Sequence, residues 1–200
     1  TLLSFMKRGY FIVFEGCDHS GKTTQSKLLS ESGIFKNVTT MTFPDRTTLI
    51  GSMINNYLQK STKLNDKAIH LLFSANRWEK ESKINELLNN GTTIICDRYS
   101  YSGIAYSVAK GLPLEWCKSS DQGLPMPDLV IYLYSPIDVL LKRGDFGTEI
   151  YENEQFQETV HKVYMDLRDD RWVMVNGDNT IEGIQEEVQN VVRAFISRNQ

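Results

Sequence analysis

Five short apolar runs punctuate the chain: Tyr10–Phe14, Val38–Phe43, Thr92–Cys96, Leu129–Tyr134 and Trp172–Val175. None alternates cleanly between apolar and polar positions. That pattern predicts strands buried on both faces of a parallel sheet. Between the runs lie stretches with helical periodicity: 23–32, 48–59, 66–88, 99–110, 155–167 and 181–196. In the last of these, Ile181, Ile184, Val188, Val191, Val192 and Phe195 recur at spacings of three and four, the core-facing stripe of a helix. Strand–helix alternation predicts an α/β protein with right-handed crossovers and helices on both sheet faces.

Composition narrows this picture. Over 200 residues, 40% are hydrophobic and 24% charged, an ordinary globular mix long enough to bury a core without disulfide staples. Lys plus Arg number 22 against 25 Asp plus Glu, a net charge of −3, so the bulk electrostatic footprint of a nucleic-acid binder is absent. Repeats, low-complexity tracts and apolar runs of membrane-spanning length are also absent. The three cysteines, Cys17, Cys96 and Cys117, are odd in number and widely spaced, which argues against a disulfide framework and for a reducing compartment. At the N-terminus the apolar residues precede Lys7-Arg8, the reverse of a secretory leader. Residues 1–8 are expected to be an extension or remnant ahead of one domain over 9–200, in a cytoplasmic or nuclear protein that is not secreted.

The sharpest chemical signal is Gly16-Cys-Asp-His-Ser-Gly-Lys-Thr23. It fits G-x-x-x-x-G-K-[ST] at every fixed position and sits between the first expected strand and the first expected helix. Glycines at Gly16 and Gly21 let the backbone curl so that successive N–H groups face phosphate oxygens. The helix N-terminus adds positive potential. Lys22 would bridge the β- and γ-phosphates, and the Thr23 hydroxyl would hold Mg²⁺. Ser20 and Thr24 complete the expected ATP-binding set. No Asn-Lys-x-Asp guanine reader is present. Asp18 places a carboxylate near two phosphate groups, which is unfavourable unless it holds a hydroxyl or works with the metal; this points to an acceptor bearing a sugar hydroxyl. Arg46, Arg77 and Arg98 are candidate phosphate grips, two of them at the carboxyl ends of strands, where open α/β sheets bind ligands.

These blocks, together with Phe43-Pro-Asp-Arg46, Leu71–Trp78, Asp97-Arg-Tyr-x-x-Ser-Gly103, Gly123-Leu-Pro-x-Pro-Asp128 and Glu149-Ile-Tyr-Glu152, resemble thymidylate kinase, most closely its eukaryotic and poxviral branch. They keep the family's order over residues 9–196. The resemblance implies a P-loop, NMP-kinase-like three-layer fold with a five-stranded parallel sheet and a short lid at about 142–150. The implied reaction is phosphoryl transfer from MgATP to dTMP, giving dTDP and ADP for dTTP synthesis, in a homodimer. By the same resemblance Phe73 stacks on thymine and Arg77 donates to a thymine carbonyl. Arg46 and Arg98 grip the dTMP phosphate, and Asp18 accepts from the 3′-hydroxyl. Tyr151 packs under the sugar, Ser102, Gly103 and Tyr106 line the base pocket, and Phe43 packs beneath it. Asp97 sits at the Mg²⁺ end of its strand, and Arg143 in the lid reaches the transferring phosphoryl group. Two positions depart from the family's pattern. His19 stands where many relatives carry Arg or Lys against the transferred phosphate; with a reference pKa near 6.5 its charge varies with pH, so transfer is expected either to fall as pH rises or to rely on Arg143. Ile150 stands where some relatives have arginine. The competing readings are a kinase for another nucleotide or nucleoside, which would lose the Phe73/Arg77 or Arg46/Arg98 pair, and a nucleotide-binding regulator, which would lose Lys22, Thr23, Asp97 or Arg98.

Overall fold

The structure is a computed structural model describing residues 7–143 and 147–199. Five parallel strands form one sheet in the order β2-β3-β1-β4-β5: β1 Phe11–Glu15, β2 Val38–Thr42, β3 Thr93–Asp97, β4 Leu129–Tyr134 and β5 Trp172–Asn176. The three central strands β1, β3 and β4 are buried along nearly their whole length, while the edge strands β2 and β5 are half-exposed. This is why the central runs read as continuous apolar segments. In register, Phe11 faces Ile94 and Val13 faces both Cys96 and Val130. Alternate residues therefore feed opposite sides of the sheet.

On one side, Ile12, Phe14, Ile95 and Ile131 pack under α1 (Lys22–Glu31) and α9 (Ile181–Arg198). The predicted α9 stripe is buried at Ile184, Val188 and Val192. On the other side lie α2 (Leu49–Leu58), α3 (Asp66–Trp78), α4 (Glu81–Asn89), α5 (Ser100–Ala109), α6 (Leu114–Ser119), α7 (Ile137–Leu140) and α8 (Glu154–Leu167). Local chemistry starts several of these helices. The Thr48, Asn65, Asn153 and Thr180 side chains accept backbone N–H bonds at the N-termini of α2, α3, α8 and α9, each satisfying a donor the helix leaves open.

The expected single helix over 66–88 is two. It breaks at Glu79-Lys80 with no Gly or Pro, because its halves bury against different partners. α3 turns Ile69, Ser74 and Arg77 inward, whereas α4 buries Ile84 and Leu88 against Phe11, Val13 and Ile94. The Lys80 ammonium closes the break by pairing with Asp45 at 2.8 Å. The short helices α6 and α7 carried no signal strong enough to predict them. Arg8, within the expected N-terminal extension, pairs with Asp128 at 2.7 Å. All three cysteines are buried and unbridged. Among the described residues no helix is long and apolar enough to cross a membrane.

Candidate active site

The phosphate loop leaves β1 and enters α1 with backbone that only its own residues allow. Gly16 has φ +147°, and a Cβ there would lie 2.6 Å from the Leu133 carbonyl oxygen. Gly21, at φ +95°, caps α1 in the left-handed region. Lys22 folds back over the loop: its ammonium donates to the Cys17 carbonyl at 2.6 Å and to Ser20 Oγ at 3.2 Å. Burial is the largest influence on Lys22 and lowers its pKa to about 8, with the Arg98 charge acting in the same direction. Beside it, the Thr23 hydroxyl donates to Asp97 Oδ2 at 2.5 Å. The other carboxylate oxygen of Asp97 is buried without a hydrogen-bond partner.

Two cavities meet at this loop. One, of about 610 Å³, runs along α1 and reaches Lys22, Thr23, Asp97, Arg98, Arg143 and Asn179. The other, of about 100 Å³, is lined by Phe43, Arg46, Phe73, Arg77, Tyr106 and Tyr151, and by Asp18, Arg98, Ser102 and Gly103. Arg98 lines both. Its backbone is left-handed at φ +65°, a strained setting for a non-glycine residue. Its guanidinium donates to the Gly16 carbonyl at 3.1 Å and to Ser102 Oγ at 3.2 Å, pairs with Asp18, and lies 5.4 Å from the Tyr106 ring centre.

The expected acceptor-side residues are thus brought together. Arg77 is fully buried and pairs with Asp121 at 2.7 Å. It fits because Gly103 has no Cβ: one built there would meet Arg77 Nη2 at 2.7 Å. Tyr151 stacks on Phe156 at 5.3 Å and donates its hydroxyl to Tyr57. Phe73 is half-buried on the cavity wall. Arg46 is more exposed, at 42% for the side chain, and donates to Asn55 at 2.8 Å and Glu149 at 2.7 Å. Thr24 is exposed along the larger cavity.

Part of the expected lid, residues 144–146, lies outside the described residues. Of its flanks, Arg143 donates to the carbonyls of His19 at 2.9 Å and Gly177 at 2.6 Å. His19 Nε2 lies 2.9 Å from Glu152 Oε1. Glu152 Oε2 accepts from the backbone N–H groups of Gly147 and Glu149, both at 2.9 Å. These bonds hold the Glu152 carboxyl below its usual range against the opposing effect of burial, which is the largest single influence. Ile150 packs inward on the apolar cluster around Leu58 and Tyr151.

Several site residues escaped the sequence reading. Gln157 is fully buried and grips Asp18 from both sides: its amide donates to Asp18 Oδ2 at 2.7 Å and its Oε1 accepts from Asp18 N at 3.0 Å. A lone glutamine beside Phe156, Val160 and Tyr164 on an apolar helix face was the available signal. Glu15 ends an otherwise apolar strand and is fully buried. Its carboxylate accepts from Tyr99 N, Ser102 N, Ser102 Oγ and Tyr164 OH. Tyr99 is buried and also borders the smaller cavity. Asn76, buried on α3, clasps the Asp45 backbone through both its oxygen and its amide.

A phosphate-binding loop fused through Arg98 and Asp18 to an aromatic, arginine-bearing cavity is a two-substrate arrangement, and comparison with known proteins decides which one. The thymidylate kinase family profile matches residues 14–188. The chain belongs to the thymidylate kinase family. It is 48% identical to thymidylate kinase of Dictyostelium discoideum over 94% of this chain and 86% of that protein. It is 43% identical to the Homo sapiens enzyme over 92% and 89%. The solved thymidylate kinase of Candida albicans superposes with a TM-score of 0.88 at 40% identity, covering 94% of this chain and 92% of that one. The reaction is therefore phosphoryl transfer from ATP to dTMP, and the five-stranded P-loop fold is the family's. Lys22, Thr23, Asp97 and Arg98, the four residues whose loss would mark a regulator, are all present and line one cavity.

Proposed function

We propose that the larger cavity takes MgATP, the smaller takes dTMP, and Arg98 is the cation shared by the transferring phosphoryl group and the acceptor phosphate. The supporting observation is Arg98 on the common wall of both cavities, clamped by Asp18, Ser102 and the Gly16 carbonyl. Phosphoryl transfer needs alignment and charge neutralisation more than covalent chemistry. Lys22 sits where the β- and γ-phosphates would enter; anionic oxygens there replace the Cys17 carbonyl as its partner. Arg46 exchanges Glu149 for the dTMP phosphate. Phe73 offers a π face to the base and Arg77 a donor to its carbonyl edge. Asp18, pinned by Gln157, accepts from the 3′-hydroxyl, and the Tyr151 ring crowds a 2′-hydroxyl.

Thr23 and Asp97 fit Mg²⁺. The Asp97 oxygen left without a partner is the free ligand a hard cation needs, and Mg²⁺ is ordinarily held by one or two protein oxygens plus phosphates and water. Among the described residues no cluster of three His, Cys, Asp or Glu side chains forms a dedicated cage. When bound, the ion neutralises charge on the β- and γ-phosphate oxygens. Arg143 exchanges the His19 and Gly177 carbonyls for the transferring group.

A homodimer is supported by Leu49, Met53 and Leu71, large apolar side chains on α2 and α3 that are 89%, 51% and 49% exposed; light scattering of parent and Leu49→Asp protein tests it. Three buried free thiols suit a reducing cytosol. The assignment of the two cavities is tested by coupled ADP release with dTMP, dUMP, dCMP, dGMP, ribo-TMP and thymidine. Turnover with dTMP, with dUMP trailing and ribo-TMP rejected, is the expected pattern. Turnover of thymidine in place of dTMP would overturn the Arg46/Arg98 clamp.

A further inference from the structure

We propose that Asp121 is a specificity-determining positioning residue: it fixes the Arg77 guanidinium so that its donors read the carbonyl edge of the base. The inference rests on the reading of Arg77 as base reader and deepens it. Arg77 and Asp121 are joined at 2.7 Å, with side chains only 2% and 5% exposed. The Nη1–Nη2 edge of the guanidinium abuts Gly103, where a Cβ would lie 2.8 Å from Nη1 and 2.7 Å from Nη2. The bond from Nη2 to Asp121 Oδ2 holds that edge in place and so fixes the direction of the remaining donors.

Asp121 itself lies just past the end of α6, in a loop that α3 holds by three further side chains. The Ser74 hydroxyl donates to the Ser120 carbonyl at 2.9 Å, the Trp78 indole N–H donates to the same carbonyl at 2.8 Å, and His70 Nε2 lies 3.0 Å from Ser120 Oγ. His70, Ser74, Arg77 and Trp78 are spaced so that one helix face carries them all. One face of α3 therefore presents the base reader and also grips the loop carrying its counter-charge. Such an arrangement makes the donor direction rigid. A rigid donor rewards a carbonyl oxygen at its target and penalises an exocyclic amino group, because the amino group leaves a buried donor unpaired.

The chemical class selected is a pyrimidine nucleotide with a carbonyl at the position where cytosine carries its amine. The test measures kcat/KM for dTMP and for dCMP, with KM for ATP, in the parent, Asp121→Asn, Arg77→Gln, the double variant and Ser74→Ala. Asp121→Asn keeps the shape and removes the charge. Its dTMP/dCMP ratio is expected to fall roughly tenfold, the scale of one good directional donor, with ATP KM unchanged. The double variant is expected to match Arg77→Gln, since Asp121 acts through Arg77. Ser74→Ala, which loosens the loop without touching charge, is expected to lose roughly threefold. If Arg77→Gln loses selectivity while Asp121→Asn keeps it, the proposal falls and the base reader stands. If Arg77→Gln keeps selectivity as well, both fall. Should Asp121→Asn fail to fold, an unchanged ratio in Ser74→Ala overturns the proposal.

Discussion

Glu15 provides the sharpest test of how this site is held together. It is fully buried beneath the phosphate loop, and its carboxylate accepts from four donors: Tyr99 N at 3.0 Å, Ser102 N at 3.2 Å, Ser102 Oγ at 2.5 Å and Tyr164 OH at 3.1 Å. The two backbone donors open α5, so the carboxylate caps that helix. Through Ser102 it also steadies Arg98. Glu15→Ala strands the Tyr99 and Ser102 N–H groups and leaves the Ser102 and Tyr164 hydroxyls, 2.8 Å apart, only each other. Each such group costs about 1–3 kcal/mol when unpaired, and water entering the vacated space recovers some of this, leaving about 4 kcal/mol. Glu15→Gln keeps the Oε1 acceptor for both N–H groups and loses charge assistance at the hydroxyls, about 1–2 kcal/mol. For a chain of this length these correspond to Tm losses of roughly 10 °C and 4 °C. Denaturant titration reads them as a shifted midpoint at constant slope.

The pH dependence carries a sign. Burial, the largest effect, raises the Glu15 pKa above 4.5 despite its hydrogen bonds and the Arg98 charge. A carboxyl raised in the fold contributes stability that is present below the unfolded value and lost as pH rises through the folded one. Glutamine lacks that loss, so the deficit of Glu15→Gln should shrink as pH rises from about 4.5. A Glu15→Ala protein within about 1 kcal/mol of the parent, or a Gln deficit that grows with pH, refutes the reasoning.

Other outcomes follow from the same geometry. Gly103→Ala should place a methyl against the Arg77 guanidinium and raise dTMP KM roughly tenfold with ATP KM unchanged, as initial rates will show. The Lys22 pKa is depressed to about 8 by burial, so its stability contribution is present above the unfolded value near 10.5 and lost as pH falls through 8. Ligand-free, metal-free protein should therefore gain stability between those values, and Lys22→Met should flatten that gain in pH-resolved thermal melts while abolishing nucleotide binding. Asn76→Ala removes the clasp on the Asp45 backbone, and calorimetry with dTMP kinetics should show about 2–3 kcal/mol of lost stability together with weaker dTMP binding through a displaced Arg46.

How much could be read along the chain depended on whether a feature was written in neighbouring residues. Gly16 to Thr23 was legible because a phosphate cradle is built from consecutive backbone amides, and only glycine serves at φ +147° and +95°. The central strands and the α9 stripe were legible because burial on two faces or one leaves a period in the sequence. The break at Glu79-Lys80 was not, since no local breaker marks it and the competing demands of two packing partners create it. Gln157 has no local mark beyond being one polar position on a helix, and it lies 139 residues from the Asp18 it holds. Arg77 was legible as a cation, but not its counter-charge 44 residues away. Local backbone sterics and hydrophobic period act over a few residues, so the sheet, the phosphate loop and the chemical types facing it are written along the chain. Which carboxylate answers which arginine is settled by packing, because a buried charge takes the partner brought within hydrogen-bond reach, whatever their separation along the chain.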